Sequence, residues 1–202
     1  LDSSMQRLRL DDPKLAFDGN PQAARTLLEN WVPPNPDQEE TRARILQFMG
    51  ENPCDAHLRE CVPGHLTASS IVIHSDGKRG LFTLHKKLNR WLQLGGHCDG
   101  DANLAAAALR EAVEESGIED LVIDPRIVDL DIHLIPQRPA KADRPAEPAH
   151  LHLDTRFFVY APKGAKYVVS DESHELAWLT AQEVAQREAD DSVMRLVQLA
   201  LS

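Results

Sequence analysis

With 202 residues, 42% of them hydrophobic and 27% charged, the chain can bury a sizeable core without disulfides and suits one globular domain with an appendage. A net charge of −10 argues against binding long nucleic acid through a basic surface, yet leaves room for a nucleotide whose phosphates a cation neutralises. The three cysteines, Cys54, Cys61 and Cys98, have no CxxC spacing and point to a reducing, cytoplasmic compartment. No apolar run is long enough to span a membrane, and the opening LDSSMQRLRLDDP lacks the apolar core of a secretory signal, so no membrane partner is expected.

Residues 1–19 are polar and irregular and are expected to fray. Asn20-Pro21 offers a cap followed by proline at the first helical position, predicting a helix to about Trp31 with Leu27, Leu28 and Trp31 on its apolar side. Val32-Pro33-Pro34 breaks it. Asn35-Pro36-Asp37-Gln38 repeats the cap signal and opens a second helix to about Met49, burying Ile45, Phe48 and Met49. This N-terminal helical extension, residues 1–65, needs a partner for its apolar side: the main domain or a second copy of the chain, as in a homodimer.

Thr67 to His74 is β-branched and apolar and reads as a strand; Ser75 to Lys78 is a turn and Gly80 to His85 the returning strand. Lys86, Lys87 and Arg90 follow as a basic cluster, either a solvated face or a place for a substrate phosphate. Gly95 to Ile118 reads as a strand end, a glycine turn and one helix stopping at Gly117. Arg126 to Ile135 alternates as a strand. Pro136 to Ala149, with Pro136, Pro139, Pro145 and Pro148, is a long loop carrying Arg138, Lys141 and Arg144. His150 to Tyr160 is the clearest strand, and Tyr167 to Val169 is a short candidate. Leu176 to Leu179 is short and apolar. Thr180-Ala181-Gln182-Glu183 is a capping box, and Ser192 to Leu201 has the spacing of a last helix. This order predicts an α/β layered fold with a mixed sheet over residues 66–202.

The central helix carries the chemistry. At about 100° per residue, Glu111, Glu114 and Glu115 share one side, while Ala102, Ala105, Ala106, Leu109, Ala112 and Val113 lie opposite. Clustered carboxylates repel one another unless neutralised, and hard divalent cations favour such oxygen ligands. Gly96, Arg110, Glu111, Glu114, Glu115, Gly117 and Ile118 stand in register with the pattern G-x5-E-x7-R-E-U-x-E-E-x-G-U, where U is bulky and aliphatic, so the stretch resembles the Nudix box. Two positions depart: Ala102 replaces the early glutamate, and Ala112 holds a bulky position. Asp101, beside Ala102, is placed to brace the loop or cap the helix. The segments PGH-x-T-x-S and WLQLGGH also resemble a group of bacterial Nudix proteins.

The resemblance implies a Nudix-like α/β/α sandwich with a mixed sheet. It implies a Mg2+- or Mn2+-dependent pyrophosphohydrolase that cleaves a nucleoside diphosphate linked to another group by attack of water on phosphorus. Glu111, Glu114 and Glu115, with the Gly96 carbonyl, would hold the metal, and Arg110 would brace the glutamates. Glu111 is the candidate general base, with Glu147 and Glu172 as loop alternatives. Ala102 motivates a second reading, a nucleotide-binding module with weak or no hydrolysis. A third, a diphosphate isomerase of isoprenyl type, would need Cys98 as its reactive group.

His150, His152 and Asp154 recur with period two and share one strand face. With His97 they are candidates to bind phosphate, activate water or hold a transition metal, against the plain alternative of a polar patch.

Overall fold

The computed structural model describes residues 6–86, 88–140, 146–170 and 173–201. Lys87, Lys141, Arg144 and Glu172 lie outside the described residues.

Strand β1 (Gly64–Ile73) is buried along its whole length, as its small, β-branched and apolar sequence suits. It pairs in parallel with β6 (His150–Tyr160) from Gly64 opposite Leu151 to Ile73 opposite Tyr160. Strand β5 (Val122–Ile135) runs antiparallel outside β6. On the other side, β2 (Arg79–His85) meets β1 at Val72–Leu81 and Ile73–Gly80, and the two then diverge. The next stretch fills the opening: β3 (Arg90–Leu92) returns along β2, and β4 (Leu94–His97) crosses to β1. β7 (Ser173–Thr180) runs antiparallel to β2, completing a mixed sheet of seven strands among the described residues.

Helices cover both faces. Leu66 and Ala68 of β1 join one core with the box helix α3 (Leu104–Ser116) and with Leu28, Ile45, Phe48 and Met49 of α1 (Gln22–Asn30) and α2 (Pro36–Glu51). Ile71 and Ile73 alternate to the opposite face, where Val193, Leu196 and Val197 of α5 (Asp191–Leu201) pack beside the short α4 (Ala181–Gln186). This is the expected α/β/α arrangement with an N-terminal helical arm.

Two expectations are corrected, and one of two alternatives is met. The stretch before α1 does not fray over its described part: Leu8 is 2% exposed and exchanges backbone hydrogen bonds with Ile123 at 2.8 and 2.9 Å, and Leu15 is buried in a short 3-10 turn. This strap covers part of the outer edge of β5, where unpaired backbone groups would otherwise invite association. Of the two partners open to the apolar side of the arm, the main domain covers it, as Leu28, Ile45, Phe48 and Met49 join the core with Leu66 and Ala68. Gln38 pins it there: its Nε2 donates to the Leu130 carbonyl at 3.0 Å, and its Oε1 accepts from the Leu130 N–H at 2.8 Å. Finally, Tyr167 to Val169 is not a strand, because Val168 N–H is drawn to the Ser116 carbonyl at 2.8 Å, where it satisfies the end of α3.

Replacing Gln38 by leucine leaves a buried backbone donor and acceptor of Leu130 without partners, so Gln38→Leu is expected to lower stability by about 1–3 kcal/mol. Urea unfolding checks this, and an unchanged midpoint would show that α2 docks through its apolar contacts alone.

Candidate metal centre

Asn103 caps α3 by accepting from Ala106 N–H at 3.3 Å, and Gly117 ends it in the left-handed conformation, φ 67°. The fully buried Ala107, Ala108 and Ala112 let the helix lie close to the sheet. Two glycines allow the closest approach. A Cβ on Gly95 would run into Ser69 of β1, and one on Gly96 would run into the Glu111 carboxylate. The box residues then stitch helix to strand. Glu115 Oε2 accepts from Gly95 N–H at 3.0 Å. Arg110 Nη1 donates to Glu111 Oε1 at 2.6 Å, and its Nη2 donates to the His97 carbonyl at 3.0 Å. Glu114 is exposed, 3.6 Å from the same guanidinium, and Asp99 stands 3.8 Å from it.

These contacts do not balance the charge. Burial is the main influence on Glu111 and pushes its carboxyl up to about 7; Arg110 opposes this and Glu114 adds to it. A buried carboxylate beside two others, against one arginine, is a place where a hard divalent cation would be stabilised.

The early-glutamate position is closed. Ala102 is 1% exposed, and its N–H donates to the Asp18 carbonyl of the N-terminal strap at 2.7 Å. Asp101 braces the loop by accepting from Asp18 N–H at 3.0 Å and Asn103 N–H at 2.9 Å, while the capping falls to Asn103.

A second polar set occupies the sheet face opposite α3. His65 of β1 stands opposite His152 of β6, Thr67 opposite Asp154, and Ser69 opposite Arg156. His133 of β5 faces His152 from the other side. His97 lies opposite Thr67, with its ring centroid 5.0 Å from that of His65 and 5.2 Å from that of His152.

The NUDIX domain family model matches residues 64–197, the span from the first residue of β1 into α5. The chain belongs to the Nudix family. That is a family of hydrolases acting on phosphoric anhydrides. Similar Nudix structures include the C. elegans Ap4A hydrolase binary complex, with 17% identity, a TM-score of 0.50, and coverage of 66% of this chain and 93% of that one. The E. coli dihydroneopterin triphosphate pyrophosphohydrolase has 19% identity and a TM-score of 0.50, covering 66% and 92%. A NUDIX-family hydrolase from Clostridium perfringens has 21% identity and a TM-score of 0.47, covering 68% and 95%. No curated protein sequence matches the chain.

The Nudix box therefore gathers Gly96, Arg110, Glu111, Glu114 and Glu115 as the spacing implied. His97, His150 and His152 also come together, joined by His65 and His133, which the strand patterns did not single out. Asp154 is corrected: it is 3% exposed and already accepts from Thr67 at 3.1 Å, Ser69 at 2.6 Å and Arg156 Nε at 2.9 Å, so it is closed to a ligand. Arg156 in turn donates to Asp129 at 3.0 Å and to Ser192 of α5, and Arg195 donates to Asp129 at 2.8 Å. Lys86 and Arg90 are exposed around the β2–β3 turn. Glu147 is ion-paired to Arg138 at 3.2 Å. Cys98 is 1% exposed, and burial pushes its thiol pKa up, which disfavours the nucleophilic form and removes the basis for an isomerase. Burial lowers the pKa of His97 to about 4 and that of His152 also, with neighbouring positive charge adding to the effect.

The metal-free protein has a pH dependence that follows from Glu111. Its folded carboxyl keeps the proton up to about pH 7, whereas an ordinary glutamate releases it near 4.5. Between these values the folded state binds the extra proton, so stability falls as pH rises, by up to about 3 kcal/mol. Denaturation at pH 5, 6 and 7 in chelator should show this slope in wild type and a flatter one in Glu111→Gln; equal slopes would mean that burial does not burden this carboxylate. Ala102→Glu forces a longer, charged side chain under the strap and is expected to lose at least about 2 kcal/mol in the same assay. An undiminished midpoint would mean the loop can open to admit it.

Proposed function

We propose that this Nudix chain is a Mg2+- or Mn2+-dependent pyrophosphohydrolase that cleaves a nucleoside diphosphate joined to another group. The observation that carries this reading is the Glu111 carboxylate, lodged where Gly96 has no side chain and raised in pKa, with Glu114 and Glu115 within a turn. The donor set fits the ion: carboxylate oxygens of Glu111, Glu114 and Glu115, with the Gly96 carbonyl, suit a hard cation. When bound, such an ion would screen phosphate charge and lower the pKa of an attacking water.

The chain's own groups do the rest. Arg110 fixes Glu111 through the 2.6 Å hydrogen bond and ties the helix to β4 through the His97 carbonyl, so the carboxylates stay in place as charge develops. Glu111 is the proposed acceptor of the proton of an attacking water. Arg90 and Lys86 are exposed cations proposed to meet a substrate phosphate, and His97 borders the box at β4. The three cysteines are free, which fits a cytoplasmic site of action. Among the described residues, no helix is long and apolar enough to cross a membrane.

The buried Ala102 favours one other reading, a nucleotide-binding module with weak hydrolysis, because the strap holds the box loop without the early glutamate. Product analysis by chromatography of a panel of nucleoside diphosphate derivatives, Ap4A and dihydroneopterin triphosphate, incubated with Mg2+, Mn2+ or chelator, separates the two. The hydrolase reading expects metal-dependent turnover of one compound class, reduced at least about 100-fold in Glu115→Gln. Nucleotide binding without turnover by folded wild-type protein would establish the binding module instead.

A further inference from the structure

The histidines on the sheet face opposite α3 are a donor set in their own right. His65 and His152 face each other across the parallel β1–β6 pair, and His150 lies two residues before His152, on the same side of β6. The His65 ring centroid lies 5.0 Å from that of His150 and 4.9 Å from that of His152. One ring nitrogen from each of the three comes within 4.8 Å of the others.

His65 is 3% exposed, and neither Nδ1 nor Nε2 makes a well-formed hydrogen bond, the backbone of Cys61 being a loose partner only. A neutral imidazole carries one donor and one acceptor, so a buried ring with both unmet is unusual in a folded protein. His150 has the opposite character, because its tautomer is set. Its Nδ1 lies 3.0 Å from the Pro148 carbonyl, which only accepts, so Nδ1 carries the proton and Nε2 offers a lone pair. A backbone carbonyl holding one ring nitrogen while the other is left to bind is the usual support of a metal-ligating histidine. The free Nε2 of His150 stands 3.3 Å from the Nε2 of His152. Two nitrogens on a tetrahedral ion, each at about 2.0–2.1 Å, would be about 3.3 Å apart. A simple hydrogen bond from His152 to His150 would account for that distance but would leave His65 unsatisfied.

We propose that His65, His150 and His152 form a binding site for a divalent transition metal ion of the zinc class, separate from the carboxylates of the Nudix box. Imidazole donors favour Zn2+ and its neighbours over Mg2+. Three protein ligands leave a fourth position for water or an oxygen of a bound anion, as in catalytic rather than structural zinc sites. Asp154 is not a ligand, since Thr67, Ser69 and Arg156 occupy its oxygens. The two donor sets stand on opposite sides of β4: Gly96 faces Glu111, and the next residue, His97, faces His65 and His152.

The test uses the full chain without a histidine tag, stripped by chelator and dialysed into millimolar Mg2+. Zn2+ titration by calorimetry, with metal analysis after desalting, should find one tightly held equivalent. That equivalent should persist in the Glu111→Gln/Glu115→Gln double variant, and affinity should fall at least about 100-fold in His65→Ala and in His150→Gln. Imidazole nitrogen resonances of wild type provide a readout that does not depend on variants folding: on adding Zn2+, those of His65, His150 and His152 should shift together, while that of the exposed His174 stays fixed. Zn2+ binding lost in the box variant, unchanged in both histidine variants, or unaccompanied by shifts at the three histidines would overturn the assignment.

Discussion

The register of β1 against β6 is the constraint on which both faces of the molecule depend. Ten residue pairs run in parallel, so each pair puts two side chains on the same face, and successive pairs alternate. One face receives Leu66 with Leu153 and joins the core under α3. The other receives His65 with His152, Thr67 with Asp154, Ser69 with Arg156, Ile71 with Phe158 and Ile73 with Tyr160. Along that face the chemistry changes steadily from imidazole through charge to hydrocarbon. Helix α5 covers the hydrocarbon end. A slip of one residue would exchange the faces, burying histidines under α3 and exposing leucines.

At the boundary of these regions sits a buried ionic network that resists such a slip. Arg156 is 2% exposed and is satisfied only when Asp129 of β5, Asp154 of β6 and Ser192 of α5 all stand in place. Arg195 closes the set through Asp129 and Asp131. Removing charges from water offsets most of what their attraction supplies, so such a network is better understood as a device for uniqueness than as a large source of stability. Three elements must agree before its charges are paired, and a misregistered sheet would strand them.

The box helix obeys a related economy. Its alanine face and the glycines of β4 bring backbone to backbone, and residues of the proposed site also hold the helix down: Glu115, a proposed ligand, on Gly95, and Arg110, the brace of Glu111, on the His97 carbonyl. Because the site and the seam are the same contacts, Glu111 is forced into a dry position that its own charge disfavours. That cost of burial is the physical reason the proposed cation would be stabilised there.

Much of this was legible in the sequence, for reasons that differ by element. Asn35-Pro36 and the box helix carry their own caps and periodic apolar faces, and so does the α4 capping box. Leu8 and Leu15 were not legible, since two isolated apolar residues in a polar run have no period, and only the edge of β5 gives Leu8 its role and the core gives Leu15 its own. Asp154 was placed on the correct strand face, yet its role was misjudged. The signal was present in Arg156 two residues on, which shares that face and claims it. His65 and His133 could not have been found from spacing, because they join His152 only through strand pairing, and one of those pairings is parallel and long-range.

The same limit applies to the relation between the two donor sets. In sequence, Gly96 and His97 are neighbours and read as one site. Strand alternation sends them to opposite faces, so hard carboxylate oxygens gather on one side of β4 and imidazole nitrogens on the other. An ion that prefers one kind of donor is a poor match for the other, which lets a single strand keep two chemistries apart without a dividing wall. The Arg110 hydrogen bond to the His97 carbonyl is the direct link between them. Any shift of His97 as its face fills would therefore be felt first at the guanidinium that holds Glu111.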